Sequence, residues 1–157
     1  MNTPWNHHGR FLFSALIVLA TAAVFAATVA SAATQSGAAT VKTHSSSLGK
    51  ILVDANGRTL YLFAKDKPKM SNCSGACAAY WPPVLTRGKP IARAGAKASL
   101  LGTTRRSNGS MQVTYAGHPL YRFALDMQAG QTKGEGLDDF GGEWDAVTPS
   151  GKHAEKS

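Results

Sequence analysis

Thr59–Asp66 reads TLYLFAKD, and Pro119–Asp126 reads PLYRFALD. Both contain Leu-Tyr-x-Phe-Ala-x-Asp, and the sixty-residue offset between them holds over a longer stretch. Aligning residues 41–66 with 101–126 gives ten identities in 26 positions, among them Thr43/Thr103, Gly49/Gly109, Val53/Val113, Tyr61/Tyr121, Phe63/Phe123 and Asp66/Asp126. Chance would supply about two, so the chain contains an internal duplication. With three residues inserted, Trp81/Trp144, Val84/Val147 and Gly88/Gly151 fall into line. Repeat one is expected over 41–88 and repeat two over 101–151, in a single tandem-repeat domain spanning 41–151.

Each copy reads as antiparallel β. Lys50–Val53 alternates, Asn56-Gly57 signals a hairpin turn, and Thr59–Phe63 returns. In the second copy Ser107-Asn108-Gly109 leads into Met111–Tyr115, Ala116-Gly117 turns, and Pro119–Phe123 returns. A last strand around Trp81–Leu85 or Trp144–Thr148 is expected to close each copy. Val41–Ser45 supplies a first strand in repeat one. Helix signals are weak, with two turns allowed at Cys73–Tyr80. The expected fold class is therefore all-β, a compact antiparallel domain of two hairpin or meander repeats.

Strand alternation puts Tyr61 and Phe63 on one face and Leu60 and Leu62 on the other. Tyr121 and Phe123 face away from Leu120 and Arg122. The charge of Arg122 marks the Tyr/Phe face as the buried one, with Ile51, Val53, Met111 and Val113 as its partners across the turn. Tyr61, Phe63, Asp66, Tyr121, Phe123 and Asp126 are thus read as structural, each Asp capping the backbone that follows its strand. A catalytic reading would pair Asp66 or Asp126 with a Tyr as acid and base. No sequence feature marks a substrate pocket there, and no catalytic residue is assigned.

The N-terminus is read as an address. Residues 11–30 are continuously apolar or small, and Ala30-Ser31-Ala32 has the small-x-small form of a signal-peptidase site. Residues 1–32 are expected to be a signal peptide, an uncleaved N-terminal anchor being the alternative. Residues 33–40 form an Ala/Ser/Thr/Gly linker and 152–157 a tail. The exported part carries sixteen Lys and Arg against nine Asp and Glu, a net of +7. Between Asp66 and Asp126 nine basic residues occur and no acidic one, whereas Asp126–Asp145 holds six acids against Lys133. This segregation suits an envelope polyanion, with Arg105 and Arg106 as contacts, or an envelope protein. The alternative is a solvated surface. Without interleaved aromatics it does not suit specific nucleic-acid binding, and membrane contact is expected only through an uncleaved N-terminal segment.

SNCSGACAAYWPPV carries both cysteines, Cys73 and Cys77. An even count in an oxidising compartment points to a disulfide, and Gly75 permits the bend of so short a bridge. The alternative is a redox dithiol or a copper site, in which Cys73 and Cys77 are joined by Met70 and His118. His44, Met111 and Met127 are further candidate ligands. The Cys-x-x-x-Cys spacing resembles that of thioredoxin-fold copper chaperones, without their βαβ context. LDDFGGEWD offers Asp138, Asp139, Glu143 and Asp145 without the ordered spacing of a calcium loop, and reads as an acidic surface loop. Lys133–Gly136, KGEG, lacks the strand–helix setting of a phosphate cradle. The usual hydrolase and nucleotide motifs are missing from the sequence.

Taken together, the paired Tyr-x-Phe-x-x-Asp motifs, the SNCSGACAAYWPPV block, NGRTLYLF, GHPLYRF and FGGEWDAVTPSG resemble a bacterial family of secreted repeats of unknown function. Its members are predicted lipoproteins with a Yx(F/W/Y)xxD motif. The resemblance covers roughly Gly49 to Gly151 and implies an extracytoplasmic protein, periplasmic or secreted. It supplies no activity and no cofactor. Many such proteins carry a lipobox cysteine; here Ala and Ser stand in its place.

The expected function is a non-enzymatic binding or scaffold module of the cell envelope. A copper-binding or redox role for Cys73 and Cys77 is the alternative.

Overall fold

A computed structural model describes residues 37–154. The expected signal segment, the first half of the linker and the last three residues lie outside the described residues. Among the described residues no helix is long and apolar enough to cross a membrane.

The fold is all-β with little helix. Strand β1 (Thr40–Ser46) pairs antiparallel with β2 (Gly49–Asp54), β3 is Tyr61–Phe63, and a short α-helix, α1, spans Ala76–Tyr80. The short β4 (Ile91–Ala92) precedes repeat two, in which β5 (Leu101–Arg105) pairs antiparallel with β6 (Met111–Tyr115), followed by β7 (His118–Pro119). A hairpin of β8 (Leu137–Asp139) and β9 (Gly142–Ala146) ends the domain. Three three-stranded sheets result, in the orders β2-β1-β4, β5-β6-β7 and β3-β9-β8.

The last strand of each repeat does not close its own copy, as the sequence reading expected. It closes the other one. Tyr61 and Phe63 of repeat one pair with Ala146 and Trp144 of repeat two. Reciprocally, the Arg122 and Ala124 N–H groups donate to Pro82 and Tyr80 carbonyls, both at 2.9 Å. Val147 donates to Leu60 and accepts from Leu52; Val84 donates to Leu120 and accepts from Val113. Strand periodicity identifies a face but not a partner, which is why the exchange could not be read from either copy.

The duplication is also locally out of step. The turn between β5 and β6 is one residue longer than that between β1 and β2, and the next turn is one residue shorter. The two changes cancel, so identities on either side stay aligned while β6 slides by one position. Leu52 is therefore the counterpart of Val113, and Ile51 and Val53 correspond to Gln112 and Thr114. Met111 does not belong to the inward set and is 37% exposed. Gln112 and Thr114 are buried instead, and Gln112 Nε2 donates to the Leu120 carbonyl at 2.8 Å.

Both faces of the returning strand are buried. Tyr61 and Phe63 enter an aromatic cluster with Trp81, Tyr121, Phe123 and Trp144; Leu60 and Leu62 enter an aliphatic one with Val41, Val84, Val113 and Leu120. Arg122, assigned to solvent from its charge, is also mostly covered. Its Nε lies 2.7 Å from Asp54 Oδ2, with side chains only 13% and 5% exposed, so a partner in the other repeat makes the burial tolerable.

The aromatic cluster shows the same reciprocity between repeats. Trp81 stacks on Trp144 with ring centres 4.0 Å apart and planes 5° from parallel. Phe63 stacks on the outer face of Trp144 at 4.1 Å, and Phe123 lies against Trp81 at 4.4 Å. Tyr61 and Tyr121 meet Trp81 and Trp144 edge-on. Each such pair contributes about 0.5–1.5 kcal/mol beyond the area it buries. Gly134 completes the packing: a Cβ there would lie 2.8 Å from the Trp81 ring and 3.0 Å from that of Tyr61. Gly134 of KGEG thus serves the core.

LDDFGGEWD is the β8–β9 hairpin rather than a loop. Its two-residue turn, Phe140-Gly141, has positive φ at both positions, the form that suits the twist of the flanking strands. Phe140 lacks the usual Asn or Gly, which hid the turn. α1 is shorter than the two turns allowed at Cys73–Tyr80.

Candidate functional site

Four of the six motif residues form two Tyr–Asp pairs that cross between repeats, one buried and one half-buried. Tyr61 Oη donates to Asp126 Oδ2 at 2.6 Å, and Tyr121 Oη donates to Asp66 Oδ2 at 2.6 Å. The second oxygen of each carboxylate takes a backbone amide beyond its own strand: Asp126 Oδ1 from Lys133 at 2.9 Å and Asp66 Oδ1 from Asn72 at 2.7 Å. Burial pushes all four groups upward in pKa. For the tyrosines the neighbouring carboxylate pushes the same way; for the aspartates the hydrogen bonds they accept oppose the shift. Both phenols are held neutral, as donors. Phe63 and Phe123 are the outer plates of the ring stack.

The Asp66–Tyr121 pair continues outward. Tyr121 Oη lies 2.7 Å from Ser71 Oγ, which accepts from Arg106 Nη1 at 2.9 Å. Arg106 Nη1 also reaches Gln112 Oε1 at 2.6 Å, and Nη2 donates to the Cys73 carbonyl at 2.6 Å. Gln112 thus joins this network because of the one-residue slide of β6. No feature of the sequence revealed that.

Cys73 and Cys77 are joined in a disulfide and are almost fully buried in the aromatic cluster. The bridge closes residues 73–77, directly after Ser71 and Asn72, and the chain then runs through α1 to Trp81. With both sulfurs in the bridge neither is a free thiolate, and the other candidate copper ligands lie mostly on the surface. Met70 is 55% exposed, His44, His118 and Met127 are exposed, and Met111 lies on β6. Among the described residues no group of three or more His, Cys, Asp or Glu is placed to hold a metal ion. That includes Asp138, Asp139, Glu143 and Asp145.

Where the network reaches the surface there is a concavity of about 320 Å³ between residues 70–74 and 105–107. Arg105 and Arg106 line it with Ser71, Asn72, Ser74 and Ser107. Arg106 is pinned by three hydrogen bonds, while Arg105 is exposed and makes no side-chain hydrogen bond among the described residues. The only carboxylate in the network, Asp66, has both oxygens occupied from within the fold. What the concavity presents is therefore cationic and hydrogen-bond donating.

The sequence model of a family described as a secreted repeat of unknown function matches residues 42–85 and 102–148. The chain belongs to that family. The two matches cover both copies of the duplication, each including the closing strand that it lends to its neighbour. As a secreted-repeat protein the chain is exported. No curated protein and no solved structure matches it.

Proposed function

We propose that this exported protein is a non-enzymatic binding module of the cell envelope, periplasmic or secreted, that holds an anionic partner in the concavity beside the disulfide. The supporting observation is the lining: one free and one pinned guanidinium with serine hydroxyls, on a segment where nine basic residues occur without an acidic one. A pinned arginine loses little freedom on binding, and a free one can adapt to the ligand. The Tyr–Asp pairs are structural in this reading. Tyr61, Tyr121 and Asp126 are fully buried, and their polar atoms are engaged within the crossed Tyr–Asp pairs.

Titration with polyphosphate as a soluble polyanion tests it. Binding is expected to weaken steeply as salt is raised and to be lost in Arg105→Glu at unchanged thermal stability. Salt-independent binding, or binding indifferent to Arg105→Glu, refutes the assignment. Two free thiols with stoichiometric copper, in protein purified without chelator, would move the function to Cys73 and Cys77.

A further inference from the structure

The two hairpins differ at one edge. In repeat one, β1 is covered on its outer side by β4, which runs parallel to it with Thr40 opposite Ile91 and Val41 opposite Ala92. The Val41 carbonyl accepts from Arg93 N–H at 2.8 Å, and Thr43 N–H donates to the Ala94 carbonyl at 3.2 Å, as does the Thr43 hydroxyl. In repeat two the corresponding strand is β5, and it is the outermost strand of its sheet. Arg106 N–H bonds Ser110 and the Leu100 carbonyl bonds Ala116, so the even-numbered residues of β5 face β6 and Leu101, Thr103 and Arg105 face outward. The Leu101 carbonyl and Thr103 N–H, counterparts of the two bonding groups on β1, have no backbone partner among the described residues. Thr103 repeats Thr43, hydroxyl included.

A groove of about 440 Å³ runs beside this edge, lined by Lys89, Pro90, Leu101, Gly102, Thr103 and Met111. Its surface is mainly apolar, with Lys89 and Arg105 exposed around it.

We infer that β5 is a docking edge for an extended acidic peptide segment of a partner protein, which adds to it as a parallel strand in the way β4 adds to β1. The protein's own first repeat shows a parallel strand on the corresponding edge, β1, and main-chain pairing of that kind needs only an unpaired edge. Charge selects the occupant. Lys89 lines the groove and Arg105 ends the strand, both exposed, so a second copy laid on the edge would set like charges together, whereas acidic side chains are attracted. The first repeat also sets a size limit. A Cβ on Gly95 would lie 3.0 Å from the Thr43 hydroxyl, so the occupant carries a small residue opposite Thr103.

The probe is a synthetic heptapeptide reproducing Pro90–Ala96 with Arg93→Glu, titrated into the exported protein while amide exchange is followed. The Thr103 amide should become protected. The unaltered Arg93 peptide should bind roughly tenfold more weakly, as should the Glu peptide to Lys89→Glu. Thr103→Pro removes an outward N–H that the β5–β6 ladder does not use. It should abolish peptide binding while the thermal midpoint and polyphosphate binding at Arg105 persist. Three results would overturn the inference: no binding, binding unaffected by Thr103→Pro, or self-association of the protein that Thr103→Pro dissolves.

Discussion

Tyr61 and Tyr121 exchange both backbone hydrogen bonds, the N–H of each donating to the carbonyl of the other at 2.9 and 3.0 Å. A two-fold relation between the repeats passes through this point, and the crossed Tyr–Asp pairs and the Trp81–Trp144 stack are arranged about it.

Because each tyrosine is anchored by the other repeat, Tyr61→Phe and Asp126→Asn should each destabilise the whole domain. A hydrogen bond to a charged group is worth about 1.5–3 kcal/mol. The double variant should cost clearly less than the sum of the single ones in urea unfolding, and Tyr121→Phe with Asp66→Asn should behave alike. Strict additivity would show that the pairs are not coupled.

Trp81→Ala removes the centre of the ring stack and should cost about 3–5 kcal/mol. Since the stack draws equally on both copies, calorimetry should still show one transition rather than two. For the same reason a fragment ending at Gly88 should be unstructured by circular dichroism, and should gain structure on mixing with the complementary fragment.

Reducing the Cys73–Cys77 bridge, or replacing both residues by Ser, should lower stability by about 2 kcal/mol, the chain-entropy value for so short a loop. Polyphosphate affinity should fall as well, because the Cys73 carbonyl that holds Arg106 belongs to a bridged residue and Ser71 lies two residues before it. An unchanged affinity would detach the disulfide from the concavity.

The buried pairs set the response to pH. Asp66 and Asp126 have folded-state pKa values raised by burial, so their contribution to stability is fully present below the unfolded value of about 4 and is lost as pH rises through the folded values. Tyr61 and Tyr121 are raised likewise, so theirs is present below about pH 10 and is lost above it, as the unfolded phenols ionise. Urea midpoints across this range should show a weakened acid limb and a steep alkaline fall. Tyr121→Phe with Tyr61→Phe should flatten the alkaline limb.

What the sequence discloses is whatever a residue does within its own strand. The alternation of Tyr61 and Phe63 against Leu60 and Leu62, and the disulfide spacing, are local facts and were legible. Arg122 was not, because the ion pair that permits its burial is made to Asp54, 68 residues away. Nor was the slide of β6, since two compensating turn lengths leave the identities on both sides aligned. β4 is two residues long and carries no periodicity at all. The concavity is half visible in the sequence: Arg105 and Arg106 stand out as basic contacts, but Ser71, 35 residues from Arg106, meets it only in the fold.

The exchange of closing strands bears on how such a protein comes to exist. A chain with one copy would have no strand to seal its own returning edge and would have to obtain it from a second molecule, making it a symmetric dimer whose folding depends on concentration. Joining two copies end to end makes that association intramolecular, so the domain assembles at any dilution. Once joined, the copies are no longer bound to be alike. One edge can be sealed by the connecting segment while its twin stays open, an asymmetry that a dimer of identical subunits could not hold.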